Sequence, residues 1–408
     1  MEKRIYLDNA ATTFPKPGAV AAEVVRYMEK TGCNAQRGSY SGAFDVEEVL
    51  FGIRSSLKKL FNAPDEKNVI FTPSDTYSLN MLIKGIMRPG DVAAVSSMEH
   101  NAVMRPVMSI AQDTACEMIN CDVGGTISKE ELLGELEKIK CSTESKGLVF
   151  RTLIMNHGSN VCGSVLPIAA AGRFCRENGI YFIVDAAQTA GLLDIDVEKM
   201  YIDALSFSGH KGLYGPQGTG GFIISDAMAA ELDTLIEGGT GSFSHLITMP
   251  DVLPDRFEPG TMNLPGIYGL GAALKFLEQT GTDMIYGHDM ELAGRFAEKI
   301  EAIEGIYAAG PFARGLNGND DRRFDNNGRN RLPVVSVTCD IMDEAELARR
   351  LEAEYGIWTR VGLHCAPCAH RTLGTFPRGT VRFSFGFFNT EEEMEYAVGA
   401  LMDICRHP

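Results

Sequence analysis

The sequence predicts an α/β protein, with a large domain on a mainly parallel sheet and a smaller α+β domain after it. Short apolar, β-branched runs alternate with helical patterns, the pattern of strands joined by crossover helices and covered on both faces. The chain has 408 residues, too many for one ordinary core. From about Gly266 the texture changes to long helices, a few strands and a last helix. The expected division is 16–278 for the large domain, with 1–15 packing with 279–408 as the small one.

The strands of the first domain are expected in "KNVIFTP", "DVAAVSS", "GLVFRTLIMNHGS", "IYFIVDAAQ", "IDALSFSG" and "TGGFIIS". Between them "SKEELLGELEKIK" reads as a helix opened by a capping box of Ser128 and Glu131, and "LPIAAAGRFCREN" as another. The stretch from Gly266 to about residue 305 is helical with glycines marking a break. "PVVSVTCD", "DEAELARRLEAEYG" and "TVRFSFGFF" then supply strand, helix and strand. A second capping box, Thr390 with Glu393, opens the final helix. The polar stretch 315–331, almost without large apolar residues, is expected to be a mobile surface insertion.

A hydrophobic content of 45% and a charged content of 23% are those of a soluble globular protein. The formal net charge of −16 argues against nucleic acid or an anionic membrane surface as partner, since both need basic faces. No stretch of about 18 apolar residues is present to span a membrane. No apolar run follows the charges of "MEKRIYLDNAATTFPKP", so no signal peptide is expected. The ten cysteines are expected to be mostly reduced and buried, in a cytoplasmic protein.

Ligands of α/β sheets sit at the carboxyl ends of the strands. One such end carries Ser74, Asp75 and Thr76 at a helix start, a ready anion cradle. The others carry Glu99, His100 and Asn101; Asn156, His157, Ser159 and Asn160; Asp185 with Gln188; and Ser208, His210 and Lys211. Singly, each has an ordinary structural explanation, a helix cap or a satisfied strand-end residue. Together they form the set that pyridoxal phosphate needs: a lysine for its Schiff base, a carboxylate for its ring nitrogen, a flat ring to stack on it and a cradle for its phosphate. The glycine runs "GPQGTGG" and "GGTGS" do not follow a strand as GxGxxG, so a dinucleotide fold is poorly supported.

With these residues in view, the chain resembles the cysteine desulfurase and selenocysteine lyase group of the class V aminotransferase fold. The matching stretches are "YLDNAATT", "FTPSDTYSLN", "MEHNAV", "GSNVCG", "VDAAQTAG", "SFSGHKGLYGPQGTGG", "RFEPGTMN", "RVGLHCAP" and "GTVRFSFGFFNTEEE". They run in family order from residue 6 to about 393. The resemblance implies fold type I, pyridoxal 5'-phosphate as cofactor and a homodimer. It implies that Lys211 forms the Schiff base and later carries protons, that Asp185 pairs with the ring nitrogen, and that Gln188 bonds the phenolic oxygen. His100 would stack on the ring and serve catalysis. Thr76, Ser208 and His210 would hold the phosphate beside Ser74 and Asp75. Asn160, which also faces the cofactor, and Arg382 would bind the substrate carboxylate, Arg382 as a bidentate fork. Thr261 resembles the residue that reaches the phosphate of the other subunit.

"RVGLHCAPCAHRTLG" bears on activity. A transaminase needs no cysteine over the substrate, whereas a desulfurase needs a thiolate to take sulfur from L-cysteine. Cys365 stands where the family carries that nucleophile, and Arg360 and His364 are expected to lower its pKa, His364 also to touch substrate. The short segment around Cys365 resembles desulfurases with an ordered cysteine loop, which implies slow unaided turnover and a sulfur-acceptor protein as partner. Selenocysteine lyase, or another β-lyase or aminotransferase of the same fold, is the alternative. A non-catalytic cofactor-binding protein is a further one, opposed by the intact Lys211 and Asp185. Cys368 completes a CxxC that could be a redox pair or, with His364 and His370, a metal site; a buried small residue is the preferred reading, and no metal is expected. Asp75 departs from the family, which has a small uncharged residue there. Its side chain is expected to turn away from the phosphate, leaving only the backbone amide inward; an inward carboxylate would weaken cofactor affinity.

Overall fold

The computed structural model describes residues 4–35, 40–313 and 330–408. All but the last two residues of the polar stretch 315–331 lie outside the described residues. The chain opens with β1 (Ile5–Tyr6), then helices α1 (Gly18–Arg26) and α2 (Ser41–Phe61). β2 (Val69–Thr72), α3 (Asp75–Ile86), β3 (Asp91–Ser96), α4 (Asn101–Ser109), β4 (Ala115–Ile119), α5 (Lys129–Ser145), β5 (Val149–Asn156), α6 (Ile168–Asn178) and β6 (Tyr181–Asp185) follow in alternation. β7 (Ala204–Ser208), β8 (Gly220–Ile224) and α7 (Asp226–Glu231) close this part.

These strands form one seven-stranded sheet in the order β2-β8-β7-β6-β5-β3-β4. β7, β6, β5, β3 and β4 are parallel, and β8 runs antiparallel to both β7 and β2. The strands expected from their apolar runs are all present. β4 was not foreseen: in "ACEMI" only Ile119 is buried, because an edge strand covered in part has no need of a continuous apolar run. Both faces of the sheet are covered. Leu57, Leu132, Phe174 and Leu270 belong to the core on one side, and Leu79, Leu82, Val103 and Met228 to the core on the other.

α8 (Leu264–Thr280) and α9 (Thr282–Ile300) meet at Gly281, whose φ of +86° ends one helix and starts the next. β9 (Ile306–Ala309), β10 (Val334–Cys339), α10 (Glu344–Tyr355), β11 (Ile357–Trp358), β12 (Arg360–Gly362), α11 (Pro367–Thr372), β13 (Thr380–Ser384) and α12 (Glu391–Arg406) complete the chain. β12-β13-β10-β9 is an antiparallel sheet, and β1 pairs with β11. A further core gathers Ile5 and Leu7 with Phe296, Val335, Phe383 and Leu401. Both expected capping boxes are made, Ser128 with Glu131 and Thr390 with Glu393. Among the described residues no helix is long and apolar enough to cross a membrane. All ten cysteines are free thiols, but only Cys162, Cys175 and Cys339 are fully buried, fewer than expected.

A buried ion pair fixes the edge strand β2, which leads into α3. β2 pairs on one side only, with β8. On its open side Glu258 accepts from the Phe71 amide at 2.6 Å, and Arg54 donates to the Val69 carbonyl. Arg54 and Glu258 pair with each other at 2.6 Å, both buried. Removing one partner leaves an uncompensated buried charge, which costs about 3–5 kcal/mol. Arg54→Met is therefore expected to lower the thermal midpoint clearly, read by circular dichroism; an unchanged midpoint would show that the pair is not needed.

Candidate active site

The carboxyl ends of the strands form one rim. Asn156, Asp185 and Ser206 lie on one rung across β5, β6 and β7, and Ser208 ends β7 opposite Gly220. Ser74 caps α3 by accepting from the Tyr77 amide at 3.3 Å, which leaves the first amides of the helix free for an anion. Gly220 lets this turn settle onto the sheet: a Cβ there would lie 2.8 Å from Ser74 C and 2.9 Å from Asp75 N.

A cavity of about 90 Å³ opens at this rim. Its walls are Ser74, Asp75, Thr76, His100, Asn156, Gly158, Asn160, Asp185, Ala187, Gln188, Ser208, His210 and Lys211. Every cofactor-contact candidate of the sequence is among them except Thr261. Thr261 is exposed and lines a different cavity, with Phe71, Tyr77, Gly218 and Asn263. A larger cavity of about 320 Å³ between α2 and α8 has no cysteine or histidine in its wall; its charged residues, Lys59 and Glu278, pair with each other at 2.5 Å.

Burial sets the charge states inside. Lys211 is held below the usual lysine pKa by burial, against the pull of Asp75 and Asp185. Asp185 is raised by burial, although the Ala187 amide donates to it at 2.9 Å and Lys211 lies near. Beneath them Glu99 is fully buried, and burial pushes its carboxyl up to about 8. His100 caps α4, its Nδ1 accepting from the Ala102 amide at 3.0 Å, so Nε2 carries the proton. Burial and then Lys211 push His100 down to about 4, so it is neutral. His210 is likewise pushed down to about 4, chiefly by burial. Its Nδ1 is buried without a hydrogen-bond partner among the described residues. Gln188 spends one amide hydrogen on the Ala10 carbonyl at 3.0 Å.

Asp75 corrects one expectation. Its carboxyl does not swing out of the site. It is 7% exposed and sinks onto the sheet, where Oδ1 accepts from Ser206 Oγ at 2.7 Å. Ser206 lies two residues below Ser208 on β7, so the carboxyl sits level with Asp185 rather than at the strand tip. The energy of an ionised carboxylate beside Asp185 keeps it protonated instead: burial, then Asp185, raise its pKa to about 8.

The cysteine segment is pinned to the same rim. His364 and Cys365 both take left-handed backbone, φ +48° and +57°. The Cys365 carbonyl accepts from the Asn101 amide at 2.7 Å, and the His364 carbonyl from Asn160 Nδ2 at 2.8 Å. Behind them runs a chain of neutral rings. Thr375 Oγ1 lies 2.7 Å from His370 Nδ1, His370 Nε2 lies 3.3 Å from His364 Nδ1, and His364 Nε2 lies 3.3 Å from the Arg360 carbonyl. A carbonyl only accepts, so His364 Nε2 must donate, His364 Nδ1 accept, and His370 Nε2 donate. His364 is pushed down to about 3, first by burial and then by Arg382. His364 is therefore a neutral ring that lends no positive charge to its surroundings, and it braces the segment through its bonds to His370 and the Arg360 carbonyl. Cys365 itself is exposed, whereas Cys368 packs against the α3–α4 core near Cys116. Among the described residues no group of three or more His, Cys, Asp or Glu gathers as a metal site.

The sequence also missed Asp8. Arg382 is buried, donates from one terminal nitrogen to the Asn160 carbonyl at 2.9 Å and from the other to Asp8 at 2.5 Å. Its Nε has no partner among the described residues. The free two-pronged fork expected at Arg382 is thus half taken, and Asp8 also approaches Arg360 at 3.9 Å. Asp8 stands inside the quoted "YLDNAATT", but only the fold shows that it meets a residue 374 positions away.

The sequence matches the Aminotransferase class-V family over residues 5–397. It is 30% identical to the cysteine desulfurase CsdA of Escherichia coli, over 97% of this chain and 93% of that protein. It is 29% identical to a probable cysteine desulfurase of Methanothermobacter thermautotrophicus, over 99% of this chain and 96% of that one. The fold superposes on the apo cysteine desulfurase of Thermococcus onnurineus with a TM-score of 0.86 at 26% identity, covering 99% of this chain and 95% of that chain. The chain belongs to the class-V aminotransferase family, in its cysteine desulfurase group.

Proposed function

We propose that this protein is a pyridoxal 5'-phosphate-dependent cysteine desulfurase, which converts L-cysteine to L-alanine and leaves the sulfur as a persulfide on Cys365. The observation that carries the reading is the joining of two parts. The cavity holding Lys211 and Asp185 is tied to the Cys365 segment through Asn160, which lines the cavity and holds the His364 carbonyl.

The residues fit the cofactor. The free amides of α3, the Thr76 and Ser208 hydroxyls and the unpartnered His210 Nδ1 suit a phosphate. Asp185 suits the ring nitrogen, Gln188 the phenolic oxygen, His100 the ring face, and Lys211 covalent attachment through its amine. When bound, pyridoxal phosphate supplies an electron sink for the substrate's α-carbon. Lys211 Nζ, kept below its usual pKa by burial, is then a base able to take the α-proton. Arg382, with Nε unsatisfied, and Asn160 would orient the substrate carboxylate. The Cys365 sulfur bonds to the substrate sulfur while the carbon–sulfur bond breaks, so cysteine and a thiol become alanine and a persulfide.

The same reading includes the two-domain division 16–278 with 1–15 and 279–408, supported by the separate core that unites Ile5 and Leu7 with the C-terminal elements. It includes a homodimer, supported by the exposed apolar side chains Phe243, Leu246 and Ile247 ahead of Thr261. A cytoplasmic location is supported by the free thiols. A sulfur-acceptor protein is supported by the exposed Cys365. The test is product analysis with L-cysteine and a reductant. Alanine and sulfide in equal amounts are expected; a keto acid, with the cofactor left in its amine form, would make the enzyme a transaminase.

A further inference from the structure

Asp75 places a second carboxyl in the cavity wall beside Asp185, apart from the buried Glu99 beneath, and nothing in the proposed reaction uses it. The placement is specific. Gly220 allows the Asp75 backbone against the sheet, and Ser206 Oγ holds the carboxyl at 2.7 Å. Ser206 is the direct β7 partner of Asp185 on β6, so both carboxyls lie over one rung. The ionisable groups facing Asp75 come from three places. Asp185 ends β6, Lys211 and His210 follow β7, and His100 caps α4. β2 and β8 contribute none, and Arg105, the charged residue of α4, is exposed.

Two ionised carboxylates and a single lysine would leave a net buried negative charge where a phosphate must also enter. Burial disfavours that state, and a shared proton removes it. We propose that Asp75 is a positioning residue that shares one proton with Asp185, so that the pair presents a single negative charge to the group held at Lys211. This rests on the reading of the cavity as a pyridoxal phosphate site. Its consequence is a pH limit on cofactor retention. Asp75, raised to about 8 by burial and then by Asp185, keeps its proton at neutral pH. Above that pH it ionises, adding a charge that repels a phosphate dianion. Ser206 opposes the rise by donating to the carboxylate, so its loss moves the limit to still higher pH.

The test is the dissociation constant of pyridoxal phosphate from the full-length apoprotein, by equilibrium dialysis at pH 7 and pH 9. Wild type, Asp75→Asn and Ser206→Ala are compared. The ratio of the two constants cancels the cofactor's own titration, which is common to all three. Wild type is expected to bind about tenfold more weakly at pH 9 than Asp75→Asn does, with the two equal at pH 7; tenfold is what one unit of linked pKa change gives. Ser206→Ala is expected to lose less affinity at pH 9 than wild type. Equal pH 9 to pH 7 ratios in wild type and Asp75→Asn would overturn the proposal while leaving the cofactor site intact. Wild type that binds no pyridoxal phosphate at either pH would overturn the reading of the site instead. If Asp75→Asn does not fold, Ser206→Ala decides alone, and a ratio equal to that of wild type overturns the proposal.

Discussion

Lys211→Ala is expected to abolish turnover of L-cysteine, by about 10⁴-fold or more, since in the proposed reaction one amine serves both as covalent anchor and as proton carrier. The rim around Lys211 does not depend on it. Asp185 and Asp75 are held by the Ala187 amide and the Ser206 hydroxyl, so the variant is expected to fold. Added pyridoxal phosphate should then bind weakly and without the absorption of the lysine-linked form. Turnover within tenfold of wild type would show that Lys211 is only structural.

Cys365→Ala is expected to have the opposite profile: cofactor bands and stability unchanged, sulfide release lost by about 10³-fold or more. The reasoning is geometric. Cys365 is exposed, and its backbone rather than its thiol makes the contact with Asn101, so its side chain contributes little to folding. The loop stays in place through Asn160 and the His364–His370 pair. A change confined to chemistry is therefore expected, read as alanine and sulfide formed per minute beside the visible spectrum. Loss of the cofactor bands in this variant would mean that the thiol helps to build the cavity.

Much of this site was legible because its residues end strands. A lysine, a carboxylate, an amide and a ring at successive strand ends must converge once the sheet is parallel, and the apolar runs of β5, β6 and β7 make it so. What stayed hidden depends on depth and on distant partners. Asp75 beside a phosphate cradle suggested repulsion, but only the fold shows its carboxyl sunk to Ser206, where protonation settles the conflict. His364 next to Cys365 suggested a source of positive charge, but burial and then the nearby Arg382 keep the ring neutral, against the pull of the Arg360 carbonyl. Asp8 and Arg382 meet from opposite ends of the chain, and no local spacing marks such a pair. β4 went unseen for the related reason that an edge strand needs little apolar surface.

The most direct test of the account is mass spectrometry of the peptide carrying Cys365 after a single turnover with L-cysteine and no reductant. The account predicts a mass increase of one sulfur atom on Cys365, matched by one alanine and reversed by a thiol. Alanine released with Cys365 unmodified, or the sulfur found on Cys368 alone, would contradict it.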